Sequence, residues 1–535
     1  MKNDLCLCVA VFACHIGASF AATAAADYSR PVATPKGVCW NRQSVMFMYP
    51  PAFDFKVIDR ALRYRYVIED DDHRLTVFEA STPCESLAPV WRQLPTGFLR
   101  LEVRGVDESG RTLGFAGVRR FWKSAPFRES ICPEPAWSYR EAVDKYYDWL
   151  LKMKNTRALL ETGEPDQYYV YNTYPAKTDT ALINAFVHLA SWRPQIREKA
   201  MTLACRAADH MLACSNAKGS PLEYFPHTYR VLAPESSQKG VQSKNYEGQN
   251  MLLYPAEAGL AYLRLYRAGA GDRYLHAALN IADTYCRHQG DDGTWPLKVW
   301  EKGGEPVTPN RLFPIIVCRL LDELYCEVHD ARYQKASARA FSYVENGPLK
   351  TWNWEGQFED VKPSEPYLNL QIHTPCDVAL YLLKKHPGDR EKLALARECA
   401  RFAEDQFVAW EPPFTEDGRG PMTGETTMFP KAEKKLWYDL PGAFEQYDWY
   451  LPIDGSAAKC IELFLALYRV EGDPVDLAKA RAFGNAITQA QKLCGGGAIP
   501  THWVPWDVKS DARHWINCGI YSVSVLADLM NPEKR

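Results

Sequence analysis

From Asp27 to about Ser124, apolar and polar positions alternate in short runs, as at 64–68 and 99–103. Turn residues at Asp70-Asp71-Asp72 and Glu108-Ser109-Gly110 separate them. Period two with turns at this spacing predicts a β-sandwich of immunoglobulin or fibronectin type over 27–125. Pro126, Pro133 and Pro135 mark a linker, 126–136, after which the period becomes helical and stays so over 137–535. Twelve amphipathic stretches follow, at 138–154, 175–192, 195–214, 251–268, 272–289, 311–329, 332–346, 372–386, 389–407, 455–471, 475–493 and 513–530.

The connections between these stretches alternate between very short and long. Turns such as Arg193-Pro194, Gly269-Ala270-Gly271, Pro387-Gly388 and Gly472-Asp473-Pro474 join the second helix to the third, the fourth to the fifth, and so on, giving αα-hairpins. A hairpin of this kind cannot bury its apolar face alone and must stack on its neighbours. Twelve helices in six pairs predict a mainly α fold, an (α/α)6 toroid with inner and outer helices alternating; an open solenoid is the alternative. In the toroid the long connections, 155–174, 215–250, 290–310, 347–371, 409–454 and 494–512, gather at one end and lead into the inner helices. Long ordered loops on a rigid scaffold are where binding and catalysis concentrate.

Before all this lies an apolar run, 5–26, behind Lys2 and ending in small residues, which reads as a signal peptide over 1–26. It implies export to the periplasm or the extracellular space, with no transmembrane anchor expected. A lipid-modified Cys14 is a minority alternative. Thirteen cysteines follow that segment with no CxxC pair, most of them inside apolar helical patterns, so a disulfide scaffold is not indicated. With 63 Lys plus Arg against 66 Asp plus Glu, spread singly, the chain carries no footprint for nucleic acid or an anionic membrane. No zinc-ligand cluster or phosphate-binding loop occurs, and neither a metal nor a cofactor is expected.

Ten of the sixteen Trp residues fall in or beside the long connections, among them Trp295, Trp354, Trp449 and Trp503, together with Tyr171, Tyr246 and Tyr450. Amphipathic rings in such number suit a cleft that stacks on a hydroxylated ring, which points to carbohydrate; pinning of the loops to the barrel is the alternative use. Carboxylates accompany them. Glu257, Asp377 and Asp454 each stand two places after a Pro near the start of an inner helix, while Glu359 and Glu445 lie in aromatic-rich loop clusters. Capping of those helices is the competing role for the first three. Glycoside cleavage needs one carboxyl group as acid and usually a second as base or nucleophile. His227, Arg230, Lys298, Arg311, His373 and His502 are the cations and imidazoles of the same face, and a uronic acid would need one of them for its carboxylate.

The stretch Tyr254-Pro255-Ala256-Glu257-Ala258-Gly259, the Asp292-Gly293-Thr294-Trp295-Pro296 loop and the segment from Glu445 to Asp454 resemble the six-hairpin (α/α)6-barrel carbohydrate-active enzymes over about 400 residues. Within that superfamily the chain resembles glycoside hydrolase family 154. The resemblance implies an exo-acting β-glucuronidase and carries over no catalytic residue; on their positions in the loops and at the helix starts, the acid and base candidates are Glu445, Asp454 and Glu359, then Glu257 and Asp377. A polysaccharide lyase using Tyr246 with Asn245 and His227, or Tyr450 with His373, and a non-catalytic glycan-binding barrel are the rivals.

Overall fold

The alternating N-terminal segment forms five strands: β1 (Met46–Phe47), β2 (Arg63–Asp70), β3 (Leu75–Ala80), β4 (Gly97–Val106) and β5 (Thr112–Lys123). The computed structural model describes residues 44–230, 245–359, 367–411, 439–447, 449–503 and 514–533. The strands make one sheet in the order β1-β5-β4-β2-β3, antiparallel except for β1 beside β5. Tyr64, Tyr66, Ile68, Leu99, Leu101, Val103 and Phe121 share its buried face, covered by Phe47, Phe53 and the helical turn Ala88–Trp91. Among the described residues of this N-terminal segment there is no second sheet, so the expected sandwich is corrected to a single five-stranded layer. Alternation reports that one face of a strand is buried; it does not say whether a sheet or a helical turn buries it.

The twelve predicted helices form, with shifted ends. They are α1 (Tyr139–Lys152), α2 (Pro175–Trp192), α3 (Arg197–Ala213), α4 (Tyr254–Leu265), α5 (Asp272–His288), α6 (Ile315–Val328), α7 (Ala331–Asn346), α8 (His373–Lys385), α9 (Arg390–Phe407), α10 (Asp454–Glu471), α11 (Pro474–Leu493) and α12 (Ile516–Leu529). A break at Met153 separates α1 from an additional helix, Lys154–Thr162, inside the first long connection. Even-numbered helices pack side by side in a ring, and α12 touches both α10 and α2, closing it; odd-numbered helices pack outside, with α1 against α12. Closure excludes the open solenoid. At Gly259 a Cβ would lie 2.8 Å from Leu320 Cδ2, so the α4–α6 contact depends on the missing side chain.

Four of the six outer helices carry a side-chain cap, and α3 and α5 do not. Asp330, Asp389 and Asp473 cap α7, α9 and α11 through backbone N–H groups, and Ser138 caps α1. No inner helix has a side-chain cap. All six inner N-termini, each the positive end of a helix dipole, therefore face the mouth where the long connections gather. Those connections contain short strands the helical pattern does not foretell: β6 (Gln249–Met251) with β7 (Lys298–Trp300), and β8 (Val408–Ala409), β9 (Gly442–Gln446) and β10 (Trp449–Pro452) in the order β10-β9-β8.

The sheet is tied to the ring through α9. Asp405 Oδ1 accepts the N–H groups of Met48 and Tyr49 at 2.9 and 2.7 Å, and Glu404 receives Tyr49 OH, Trp410 Nε1 and Lys479. The twelve described cysteines are free thiols. Among the described residues no helix is long and apolar enough to cross a membrane, and no cluster of His, Cys, Asp and Glu could hold a metal ion. The expected signal segment, with Cys14, lies outside the described residues, as do the side chains of Trp449 and Tyr450.

Candidate active site at the mouth of the ring

Five charged side chains converge where the inner helices begin. Glu359 lies at the centre, nearly fully buried. Its carboxylate accepts from Lys177 Nζ at 2.9 and 3.2 Å and from Tyr254 OH at 2.5 Å, and its backbone carbonyl accepts from Lys298 Nζ and Tyr229 OH. Burial works against charge here, yet the Lys177 ammonium and the Tyr254 hydroxyl overcome it and hold Glu359 down at about 2. Lys177, although buried, is raised by the same pair.

Glu257 sits one helix away, on α4, and behaves oppositely. It accepts no hydrogen bond from any described side chain. Burial pushes its carboxyl up, Lys177 and Lys459 pull it down, Asp377 and Glu359 push it up again, and the balance falls at about 7. Asp377 on α8 forms an ion pair with Lys459 Nζ of α10 at 2.7 Å and is 30% exposed. The mouth thus holds one carboxyl poised to carry a proton at neutral pH beside two carboxylates in ion pairs with lysines. That difference in environment is what separates an acid from a base.

Beside this cluster is a narrow crevice lined by Tyr171, Tyr174, Lys177, Thr178, Glu359, Trp515 and Asn517. Lys177 Nζ lies 5.1 Å from the centre of the Trp515 ring, and Tyr171 meets the same ring edge-on. Tyr246 stacks on Tyr229 with centroids 5.2 Å apart, and Lys298 Nζ stands 4.5 Å from its centre. His373 opens α8 with Nε2 3.3 Å from Ser456 Oγ, and burial drives it down to about 3, a neutral ring.

Other expected residues have different surroundings. Asp454 is fully enclosed, accepts from the Gly455 N–H at 2.8 Å and faces the Ser522 hydroxyl at 3.3 Å, and burial raises its carboxyl well above the usual range. The reason is register. Pro452 belongs to β10, so Asp454 occupies the first position of its helix, whereas Glu257 and Asp377 stand further into theirs. Lys459, not Asp454, is the residue of α10 that reaches the cluster. Glu445 lies in β9 with its carbonyl accepting from Ile372 N–H, close enough to Lys177 to be felt electrostatically.

Trp295, Trp354 and Trp503, expected as stacking platforms, are each 0% exposed. Trp295 donates Nε1 to the Tyr285 carbonyl and packs edge-on against its ring, while Trp354 packs on Phe313 and Trp352. These rings pin loops to the barrel, the alternative use the sequence allows. Arg311 grips Asp292 at 2.6 Å through both carboxylate oxygens and so braces a turn. His227 pairs with Glu301 at 2.7 Å; Arg230 lies 3.5 Å from His210; His502 meets Trp515 edge-on.

Lys177, Tyr254 and Lys459 are site residues that sequence reasoning passes over, while Trp515 is one of the ten Trp residues it places in or beside the long connections. A signal for the first exists: Lys177 stands two places after Pro175, the offset that singles out Glu257 and Asp377 when only acids are sought.

No family model matches the chain, and no curated protein does. Solved structures do. A family 76 glycoside hydrolase from a bovine Bacteroides thetaiotaomicron strain is 13% identical, with 88% of this chain and 93% of that one covered and a TM-score of 0.47. Cellobiose 2-epimerase from Spirochaeta thermophila is 12% identical, covering 74% and 97%, with a TM-score of 0.48. An unsaturated glucuronyl hydrolase from Streptococcus agalactiae is 12% identical, covering 75% and 92%, with a TM-score of 0.45. Likeness at this level concerns the path of the chain and assigns no reaction to it.

Proposed function

We propose that this chain is an exported glycoside hydrolase that removes a terminal uronic acid, β-linked glucuronate by its resemblance to glycoside hydrolase family 154, from an oligosaccharide. The observation that carries the reading is Glu257, a carboxyl at the mouth of the ring that burial raises to about 7 and that accepts no hydrogen bond from any described side chain. In that state it can give a proton to a leaving oxygen at neutral pH. Asp377, partly exposed beside it, is the second carboxylate, serving as base or nucleophile. Glu359 fixes Lys177, and Lys177 meets the carboxylate of the sugar acid, whose ring face lies against Trp515 and Tyr171. Six uncapped helix N-termini around the mouth add a field that favours an anionic ligand.

Elimination needs a tyrosine or histidine that accepts a proton readily. Burial and Glu359 push Tyr254 far above its ordinary value, and His373, down at about 3, is a weak base. Tyr254 and His373 are thus poorly suited to start an elimination, whereas Glu257 is suited to protonate a leaving oxygen. The test is to incubate the purified protein with a panel of uronic-acid oligosaccharides and follow product mass and ultraviolet absorbance together. Sugar released with one added water and no new absorbance supports the proposal; an absorbing, unsaturated product overturns it, and tight binding without turnover points to the glycan-binding rival.

A further inference from the structure

The ring builds one side-chain arrangement twice. At the mouth, Glu359 Oε2 accepts from both Lys177 Nζ, at 3.2 Å, and Tyr254 OH, at 2.5 Å, with the ammonium 5.8 Å from the centre of the Tyr254 ring. On α10, one turn below Lys459, Glu462 Oε2 accepts from Lys459 Nζ at 3.4 Å and from the hydroxyl of Tyr521 on α12. The Lys459 ammonium lies 4.7 Å from the centre of the Tyr521 ring. The three-residue offset puts Lys459 and Glu462 on one face of α10. The second set differs in one respect: Lys459 also donates to Asp377 Oδ1 at 2.7 Å. Lys459 therefore stands between two carboxylates, Asp377 at the mouth and Glu462 beneath it.

Each member of the lower set is in the state this arrangement needs. Burial opposes charge on Lys459, yet Asp377, Tyr521 and Glu462 hold it well above its ordinary value. Burial likewise opposes charge on Glu462, and Lys459, Arg319 of α6 and the Tyr521 hydroxyl outweigh it, so this carboxyl is lowered and ionised. Tyr521, pushed far up by burial and by Glu462, is a neutral donor. One ammonium shared by two carboxylates is drawn two ways. Glu462 pulls it down the ring, away from Glu257, whose proton Lys459 disfavours and Asp377 favours.

We propose that Glu462, anchored by Tyr521, is a positioning residue: by sharing the Lys459 ammonium with Asp377 it sets how much positive charge the mouth presents to Glu257. This role rests on Glu257 being the acid of the proposed hydrolysis, since a fuller positive charge nearby strips its proton at lower pH and leaves less of the acid form at neutrality. The groups facing Glu462 are Lys459 on its own helix, Tyr521 of α12, Arg319 of α6 and Arg264 of α4. Those facing Glu257 are Lys177, Asp377, Lys459, Glu359 and the neutral Tyr254. Lys459 also has the neutral His373 of α8 near it.

The test follows, by infrared difference spectroscopy on the full chain without sugar, the carboxyl band that Glu257→Gln abolishes. The proteins compared are the parent, Glu462→Gln, Lys459→Met and the double variant, each checked by circular dichroism. Glu462→Gln is expected to move the titration down by about half a pH unit or more, as one uncompensated charge nearby does. In the Lys459→Met background the same replacement is expected to move it less than about half as far, because no ammonium remains to be placed. Glu462→Asp, which keeps the charge, is expected to titrate with the parent. An unmoved titration in folded Glu462→Gln overturns the proposal, as does an equal shift in both backgrounds. Tyr521→Phe removes only the anchor and is expected to shift the band the same way by less; coincidence with the parent there refutes the anchoring. Hydrolysis is scored separately on uronic-acid oligosaccharides. A shifted carboxyl with no sugar cleaved supports the positioning role and removes the hydrolase reading, whereas cleavage with the carboxyl unmoved does the reverse.

Discussion

Replacing Glu257 with glutamine keeps the shape of the side chain and removes its proton. In the folded protein the carboxyl is raised from 4.5 to about 7, and one unit corresponds to about 1.4 kcal/mol between protonation states. The raised value means that, between pH 4.5 and 7, the native state holds a proton that the unfolded chain has lost. Stability therefore falls with rising pH across this window, by about 3 kcal/mol in total, and levels off above pH 7. The glutamine variant has no proton to lose across this window. Denaturant unfolding of both proteins at steps from pH 4.5 to 8 should show the variant gaining about 3 kcal/mol on the parent over that range. Infrared difference spectra should show one carboxyl losing its proton near pH 7 in the parent only. Parallel stability curves, or no carboxyl change near pH 7, would refute the argument that burial among Lys177, Asp377, Lys459 and Glu359 sets this value.

Three further outcomes follow from the same geometry. Lys177→Met leaves Glu359 buried without its cation and should cost about 3–5 kcal/mol in denaturant unfolding, most of it recovered in Lys177→Met with Glu359→Gln. Asp454→Asn should change stability by less than about 1 kcal/mol and leave turnover near the parent level, because burial already pushes that carboxyl toward its neutral form and encloses it. Trp295→Ala should lower stability by about 3–5 kcal/mol, seen as an earlier denaturation midpoint, without altering which sugars are accepted.

The toroid was legible because it is written in two independent patterns, the 3.6-residue period and the alternation of short and long connections. Both survive errors of several residues at helix ends, as α4 and α12 demonstrate. What covers the N-terminal sheet was not legible, since Tyr64, Tyr66 and Ile68 alternate identically under a second sheet or under the turn at Ala88–Trp91. At the mouth, the Pro-plus-two offset located Glu257 and Asp377 because Pro255 and Pro375 lie within their helices. It misdirected at Asp454 because β10 extends through Pro452 and delays α10. Aromatic content was a poor guide to stacking: a buried Trp with its indole N–H on a carbonyl, as in Trp295, has the same sequence context as one facing a cleft. Which lysine meets which acid depends on the angle between neighbouring inner helices, and no local pattern encodes that.

The central claim is that Glu257 protonates the leaving oxygen, and leaving-group dependence tests it most directly. The measurement is kcat/KM for the parent and Glu257→Gln on a glucuronide with a sugar leaving group and on its nitrophenyl counterpart, which needs little protonation to depart. An acid role predicts a loss of at least about 100-fold on the sugar substrate and less than about 10-fold on the nitrophenyl one. Equal losses on both substrates, or none on either, would contradict it.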